Sequence, residues 1–163
     1  MEALVKLKGE KMKNKLTKGL TLLLFLLLHT TFAANYFWVG GTGNWSDLTH
    51  WATISGGGVH PSTAPSTSDD VFFDANSFNG AGQTVTVNTA AFCRNITWVG
   101  ATNTPTFAGS SQLDVYGSYT LISAMTHTRS GATYFKGTSA GNTITSGGKS
   151  SVVGIKSRYI TFI

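Results

Sequence analysis

Phe78-Asn79-Gly80-Ala81-Gly82-Gln83-Thr84-Val85-Thr86-Val87 sets small turn formers directly ahead of an alternating β-branched run. Gly and Asn supply the positive-φ corners at which a chain changes direction. The Thr-Val alternation is that of a strand with one buried face. Two later segments open the same way. Phe107-Ala108-Gly109 leads to Leu113-Asp114-Val115, and Phe135-Lys136-Gly137 leads to Thr143-Ile144-Thr145. The Phe-x-Gly string thus recurs at nearly even intervals, at Phe78, Phe107 and Phe135, and Gln83 and Gln112 share the first offset. A period of this length suits one coil of a parallel β-helix, whose coils lend short strands to separate sheets and bury their apolar residues only when stacked. A β-sandwich with Greek-key hairpins also spaces its strands regularly and is the competing fold. The repeat favours the solenoid.

Outward from this stretch, short strand candidates bounded by turn formers continue in both directions. They are Tyr36 to Val39, Val71 to Phe73, Asn95 to Val99, Tyr119 to Ile122, Thr133 to Phe135, Ser151 to Ile155 and Tyr159 to Phe162. Gly40-Gly41, Gly56-Gly57-Gly58, Gly117-Ser118 and Gly147-Gly148 punctuate them. No window after Ala33 carries a sustained 3.6-residue apolar stripe. The expected fold is all-β: a right-handed parallel β-helix over residues 34–163.

The segment ahead of it, Met1 to Ala33, reads differently. Lysines at 6, 8, 11, 13, 15 and 18 precede an apolar run from Leu20 to Leu28, and Thr31-Phe32-Ala33-Ala34 gives a small-residue exit. This is the pattern of a secretory signal-peptide helix cut after Ala33. The nine residues from Leu20 to Leu28 span about 14 Å, roughly half the hydrocarbon core, which argues against a lasting membrane anchor. Met12 opens a more compact leader than Met1 and is the expected start. The expected destination is extracellular or on the cell surface.

Removing the leader changes the charge argument. Residues 34–163 keep six basic and five acidic side chains, so the high isoelectric point belongs to the leader. Nucleic-acid binding wants a basic stripe on the folded domain and is not expected. The single cysteine, Cys93, has no partner for an internal disulfide and reads as a small buried hydrophobe in a strand. Corner Asn and Ser residues are expected to stack into hydrogen-bonded ladders.

Residues 36–51 read Tyr-Phe-Trp-Val-Gly-Gly-Thr-Gly-Asn-Trp-Ser-Asp-Leu-Thr-His-Trp. This string, W-x-G-G-x-G-N-W-x-x-x-x-x-W, resembles the opening of large secreted bacterial surface proteins of the adhesin-like β-helix kind. The proline loop from Pro61 to Pro65 and the acidic strand Asp69-Asp70-Val71-Phe72-Phe73-Asp74 continue the likeness, which is clear to about residue 99. The resemblance implies a β-solenoid passenger region without implying an activity. Because such proteins are far longer, it also implies that this chain is an amino-terminal piece of one. If it is complete, its final strand, Arg158 to Ile163, is expected to be covered by self-association.

Candidate sites are few. Trp38, Trp45 and Trp51 could form an aromatic platform for a glycan, against the alternative of an aromatic plug over the first coil. Asp69, Asp70 and Asp74 are close enough in sequence to suggest a calcium site, although Val71-Phe72-Phe73 interrupts them and alternation sends Asp70 and Asp74 to one face. His50 and His60 stand in no metal spacing, and no G-x-S-x-G elbow accompanies the abundant serines. The expected function is a non-enzymatic structural or adhesin-like protein that meets glycans or a host or neighbouring cell surface and needs no cofactor beyond that possible calcium. A tryptophan-based carbohydrate-binding module and a β-helix polysaccharide lyase or hydrolase are the alternatives.

Overall fold

The computed structural model describes residues 33–149 and 161–162; the leader and the strand expected at Ser151 to Ile155 lie outside the described residues. In chain order the strands are β1 (Asn35–Trp38), β2 (Gly43–Asn44), β3 (Trp51–Ala52), β4 (Asp70–Phe72), β5 (Thr84–Thr86), β6 (Ala91–Cys93), β7 (Ile96–Thr97), β8 (Thr106–Ala108), β9 (Leu113–Val115), β10 (Tyr119–Thr120), β11 (Thr126–His127), β12 (Thr133–Phe135), β13 (Thr143–Thr145) and β14 (Thr161–Phe162). The one short helical turn among the described residues is a 3-10 turn at Leu48–His50. Among the described residues, no helix is long and apolar enough to cross a membrane.

These strands sort into three sheets. The first face runs β3-β1-β4-β7-β10-β13-β14, the second β2-β5-β8-β11, and the third β6-β9-β12. From β4 to β13 the chain visits first, second and third face in strict rotation. Every described pairing between these strands is parallel apart from β1 with β3. The chain is therefore a β-solenoid of about three turns. Greek-key hairpins would have produced antiparallel ladders, so the sandwich alternative is excluded.

The coil is shorter than the Phe-x-Gly string implies. Partners on the first face are Val71, Ile96, Tyr119 and Ile144, and on the second face Thr84, Thr106 and Thr126 follow at still closer intervals. The three strands read as copies of one unit, Thr84–Thr86, Leu113–Val115 and Thr143–Thr145, lie on the second, third and first faces respectively. The Phe-x-Gly offset is therefore one coil plus one side.

Alternation places the buried set. Val71, Ile96, Tyr119 and Ile144 point inward from the first face, Val85 and Phe107 from the second, and Leu113, Val115 and Phe135 from the third; each is at most 3 % exposed. The amino-terminal coils are filled by aromatics, among them Trp38, Trp45, Trp51, Phe73, Trp98 and Phe107. Burying a large aromatic removes about 150–250 Å² from water, which lets a narrow tube of short strands hold together without a disulfide. Cys93 lies in β6 as a buried free thiol, and burial pushes its pKa far above the ordinary range, so it packs as a hydrophobe.

Candidate functional site

The Trp-rich opening segment builds the end of the solenoid. Trp51, in β3, pairs antiparallel with β1 and so covers the edge that the first rung would otherwise leave open. Trp51 meets Trp38 edge-on at 5.0 Å and Trp45 at 4.9 Å. The Trp38 indole donates to the Gly41 carbonyl at 2.7 Å, and the Trp51 indole donates to the Trp45 carbonyl at 2.8 Å. All three rings are at most 2 % exposed. The expected aromatic platform is therefore not there: a stacking surface needs an open ring face, and these faces are spent on one another.

The glycines and histidine of the same segment serve this packing. His50 stacks on Trp38 at 4.8 Å and 6°, and its Nδ1–H donates to the Val39 carbonyl at 2.8 Å. A Cβ on Gly43 would lie 2.1 Å from His50 Nε2, so only glycine admits the imidazole. Asp47 caps the turn by accepting from the Thr49 N–H and hydroxyl, which lower its pKa. His60 Nδ1–H donates to the Trp51 carbonyl at 2.7 Å.

Nor do Asp69, Asp70 and Asp74 form a metal site. Asp69 is buried and accepts from the Ala34 N–H and from the Ser66 N–H and hydroxyl. Asp74 accepts from the Asn76 N–H and the Ser77 hydroxyl in a local turn. Asp70 receives both Arg94 nitrogens and the Asn95 amide. Burial opposes its ionisation, but these hydrogen bonds outweigh that and its pKa falls. Among the described residues no group of three His, Cys, Asp or Glu could hold a metal ion. The calcium expectation fails because alternation and turn capping turn the three carboxylates to different tasks.

What the solenoid does present is rows. On the first face Asp70, Asn95, Ser118 and Thr143 form a ladder: the Asn95 amide donates to Asp70 at 2.8 Å, the Ser118 N–H to the Asn95 side-chain oxygen at 2.6 Å, and the Thr143 N–H to the Ser118 hydroxyl at 3.1 Å. Beside it run Phe37, Phe72, Thr97, Thr120 and Thr145, in register. On the second face Thr84, Thr106 and Thr126 stand in register, headed by Thr42, whose hydroxyl accepts from the Thr84 N–H. Asn44, Thr86 and Ala108 form the next row.

The third face differs in chemistry. Phe92, Asp114 and Tyr134 stand in register across β6, β9 and β12. Lys136 donates to Asp114 at 2.7 Å, and that hydrogen bond raises the lysine pKa. Phe92 is 38 % exposed. This aromatic and charged patch was missed because its residues lie a whole coil apart in sequence, with no local motif joining them.

The interior turns polar in the last full coil. His127 and Arg129 enter from the second face, where earlier coils supply Val85, Val87 and Phe107. Arg129 is 4 % exposed, lies over the Phe107 ring and gives one nitrogen to the carbonyls of Ser111, Gly131 and Ala132. Its other two nitrogens have no hydrogen-bond partner among the described residues. The Tyr119 hydroxyl lies 3.4 Å from His127 Nε2. These groups face the core rather than solvent.

No protein-family model matches the chain, and neither does any curated protein or solved structure.

Proposed function

We propose that the chain is an exported, non-enzymatic surface protein whose solenoid makes many weak contacts with a glycan or a neighbouring cell surface. The observation that carries this is the in-register repetition of Asn, Ser and Thr on the first face, held at fixed spacing by the parallel backbone. Contacts that are individually weak add when a rigid array engages a repetitive partner at several points at once. The leader pattern and the resemblance of residues 36–99 to adhesin-like passengers support the same reading.

A second reading, carbohydrate binding at a defined site, moves from the tryptophans to the third face, where Phe92 and Tyr134 stand on either side of Asp114, itself buried and held by Gln112 and Lys136. Accessible aromatic faces are what sugar recognition uses, and Phe92 is 38 % exposed. Retention of the full chain on immobilised polysaccharides and whole cells tests both. Repeated weak contacts require retention that climbs steeply when the chain is displayed in many copies on a bead. A single aromatic site requires retention that is already present for one copy and is lost in Tyr134→Ala. Failure to bind in either format, or release of unsaturated products from uronate polymers, contradicts the non-enzymatic adhesive reading.

A further inference from the structure

We propose that the second face is an ice-binding surface, on which a row of threonine methyls and hydroxyls, with Thr86 beside it, orders water into a lattice continuous with a growing crystal. The proposal goes beyond the adhesive reading and does not rest on it.

The first support is periodicity. Thr84, Thr106 and Thr126 are register partners on adjacent parallel strands, so their side chains repeat at about 4.8 Å along the stack. Thr84 and Thr86 leave the same strand on the same side, giving a second spacing of about 6.6 Å across it. The positions beside Thr42 and Thr106 are Asn44 and Ala108, so the face carries one threonine row with Thr86 alongside it, its spacing fixed by backbone hydrogen bonding.

The second support is stiffness. Threonine is β-branched, and its χ1 is restricted, so methyl and hydroxyl have few placements open to them at each rung. Thr84, Thr86 and Thr106 are only partly exposed, while Thr42 and Thr126 at the ends are open. Water over the methyls retains hydrogen bonds with its own neighbours at restricted orientation, and the hydroxyls anchor that layer at regular points.

The third support is charge. A soluble surface ordinarily carries about a quarter to a third charged residues, yet none of the outward positions on β2, β5, β8 and β11 is charged. An ion orients water radially about itself and disrupts a tetrahedral lattice. Asp47, the nearest acid along the chain, is turned to capping Thr49. Arg94 is paired with Asp70 and Lys136 with Asp114, on or beside the third face, and Lys149 is tied to the Ser123 carbonyl ahead of β11.

These features favour ice over a neutral glycan. Sugar recognition draws on aromatic stacking and planar, bidentate donors, which the second face does not offer. A regular row of hydroxyls and methyls suits a solid that meets every rung at once.

Slow growth of ice into a solution of the full chain tests this, with an inert protein of similar size present as internal control. The wild-type chain is expected to be captured in the ice fraction while the control is excluded. Thr106→Lys, at the centre of the row, and Thr126→Lys, at an open position, are each expected to lose capture to the control level. Thr120→Lys on the first face is expected to retain it. Thermal melting of each variant establishes that it remains folded. Exclusion of the wild-type chain from ice, or capture unchanged in both second-face lysine variants, overturns the proposal. Exclusion from ice combined with lysine-sensitive retention on microcrystalline cellulose or chitin also overturns it, and gives the face to a neutral glycan under the adhesive reading.

Discussion

Phe73 and Trp98 stack face to face, with ring centroids 3.9 Å apart and an interplanar angle of 12°, one coil apart in the solenoid interior. Phe78 and Phe107 flank the Trp98 ring at 5.9 and 5.1 Å. Coil-to-coil contact of this kind replaces the long-range staple that a lone cysteine cannot provide. Trp98→Ala is expected to cost about 3–5 kcal/mol, read as a lower urea midpoint. Trp98→Phe loses less ring area and also removes an indole N–H that has no hydrogen-bond partner among the described residues, so its loss should fall well short of the alanine value.

Arg129 sets up the opposite expectation. Its three carbonyl contacts, at 3.1, 3.3 and 3.4 Å, all come from one nitrogen and are long. Against them stands the desolvation of a cation that no described carboxylate neutralises, worth several kcal/mol. Desolvation is the larger effect, so Arg129→Met should raise stability by about 1–3 kcal/mol in urea unfolding.

Acid should weaken the same coil. Burial, and then the positive charges of Arg129 and Lys149, hold the His127 pKa below its ordinary 6.5. The unfolded chain therefore binds more protons, and the stability present above 6.5 is lost as pH falls through the lower folded value. A further loss below 3.8 belongs to Asp70, whose folded pKa is also lowered. His127→Phe, which extends the row begun by Val85 and Phe107, should remove the first step and leave the second, as measured by thermal melts across pH.

Gly109 tests how closely the coils approach. It has φ +118°, and a Cβ there would lie 2.3 Å from the Val87 carbonyl oxygen. Gly82 also has a positive φ, +69°, but a Cβ there meets nothing within 4 Å. Gly82→Ala should cost about 1 kcal/mol from backbone strain alone. Gly109→Ala should cost clearly more, because the clash is with backbone and cannot be relieved by a rotamer change.

The solenoid was legible from Thr84-Val85-Thr86-Val87 and similar runs, because alternation and Gly-rich corners report a half-buried strand wherever it sits. Their grouping into faces was not legible. All three faces share one local pattern, so Phe78, Phe107 and Phe135 look like equivalent positions although Phe107 lies on the second face and Phe135 on the third. Strands as short as Gly43–Asn44 and Thr126–His127 went unseen because so short a run cannot display a period. The tryptophans and aspartates drew attention as chemistry-bearing types, but residue type carries no information on burial or on which turn a carboxylate caps. The third-face patch and the second-face threonine row depend on register between coils, which only the fold reveals.

The register itself is open to one direct measurement: nuclear Overhauser contacts between methyl groups of the full chain in solution. Parallel stacking at this coil length predicts a ladder linking the methyls of Thr84 to Thr106 and of Thr106 to Thr126. A ladder following the longer Phe-x-Gly offsets, or the reversed order of contacts expected from antiparallel hairpins, would contradict the three-faced solenoid and every surface row derived from it.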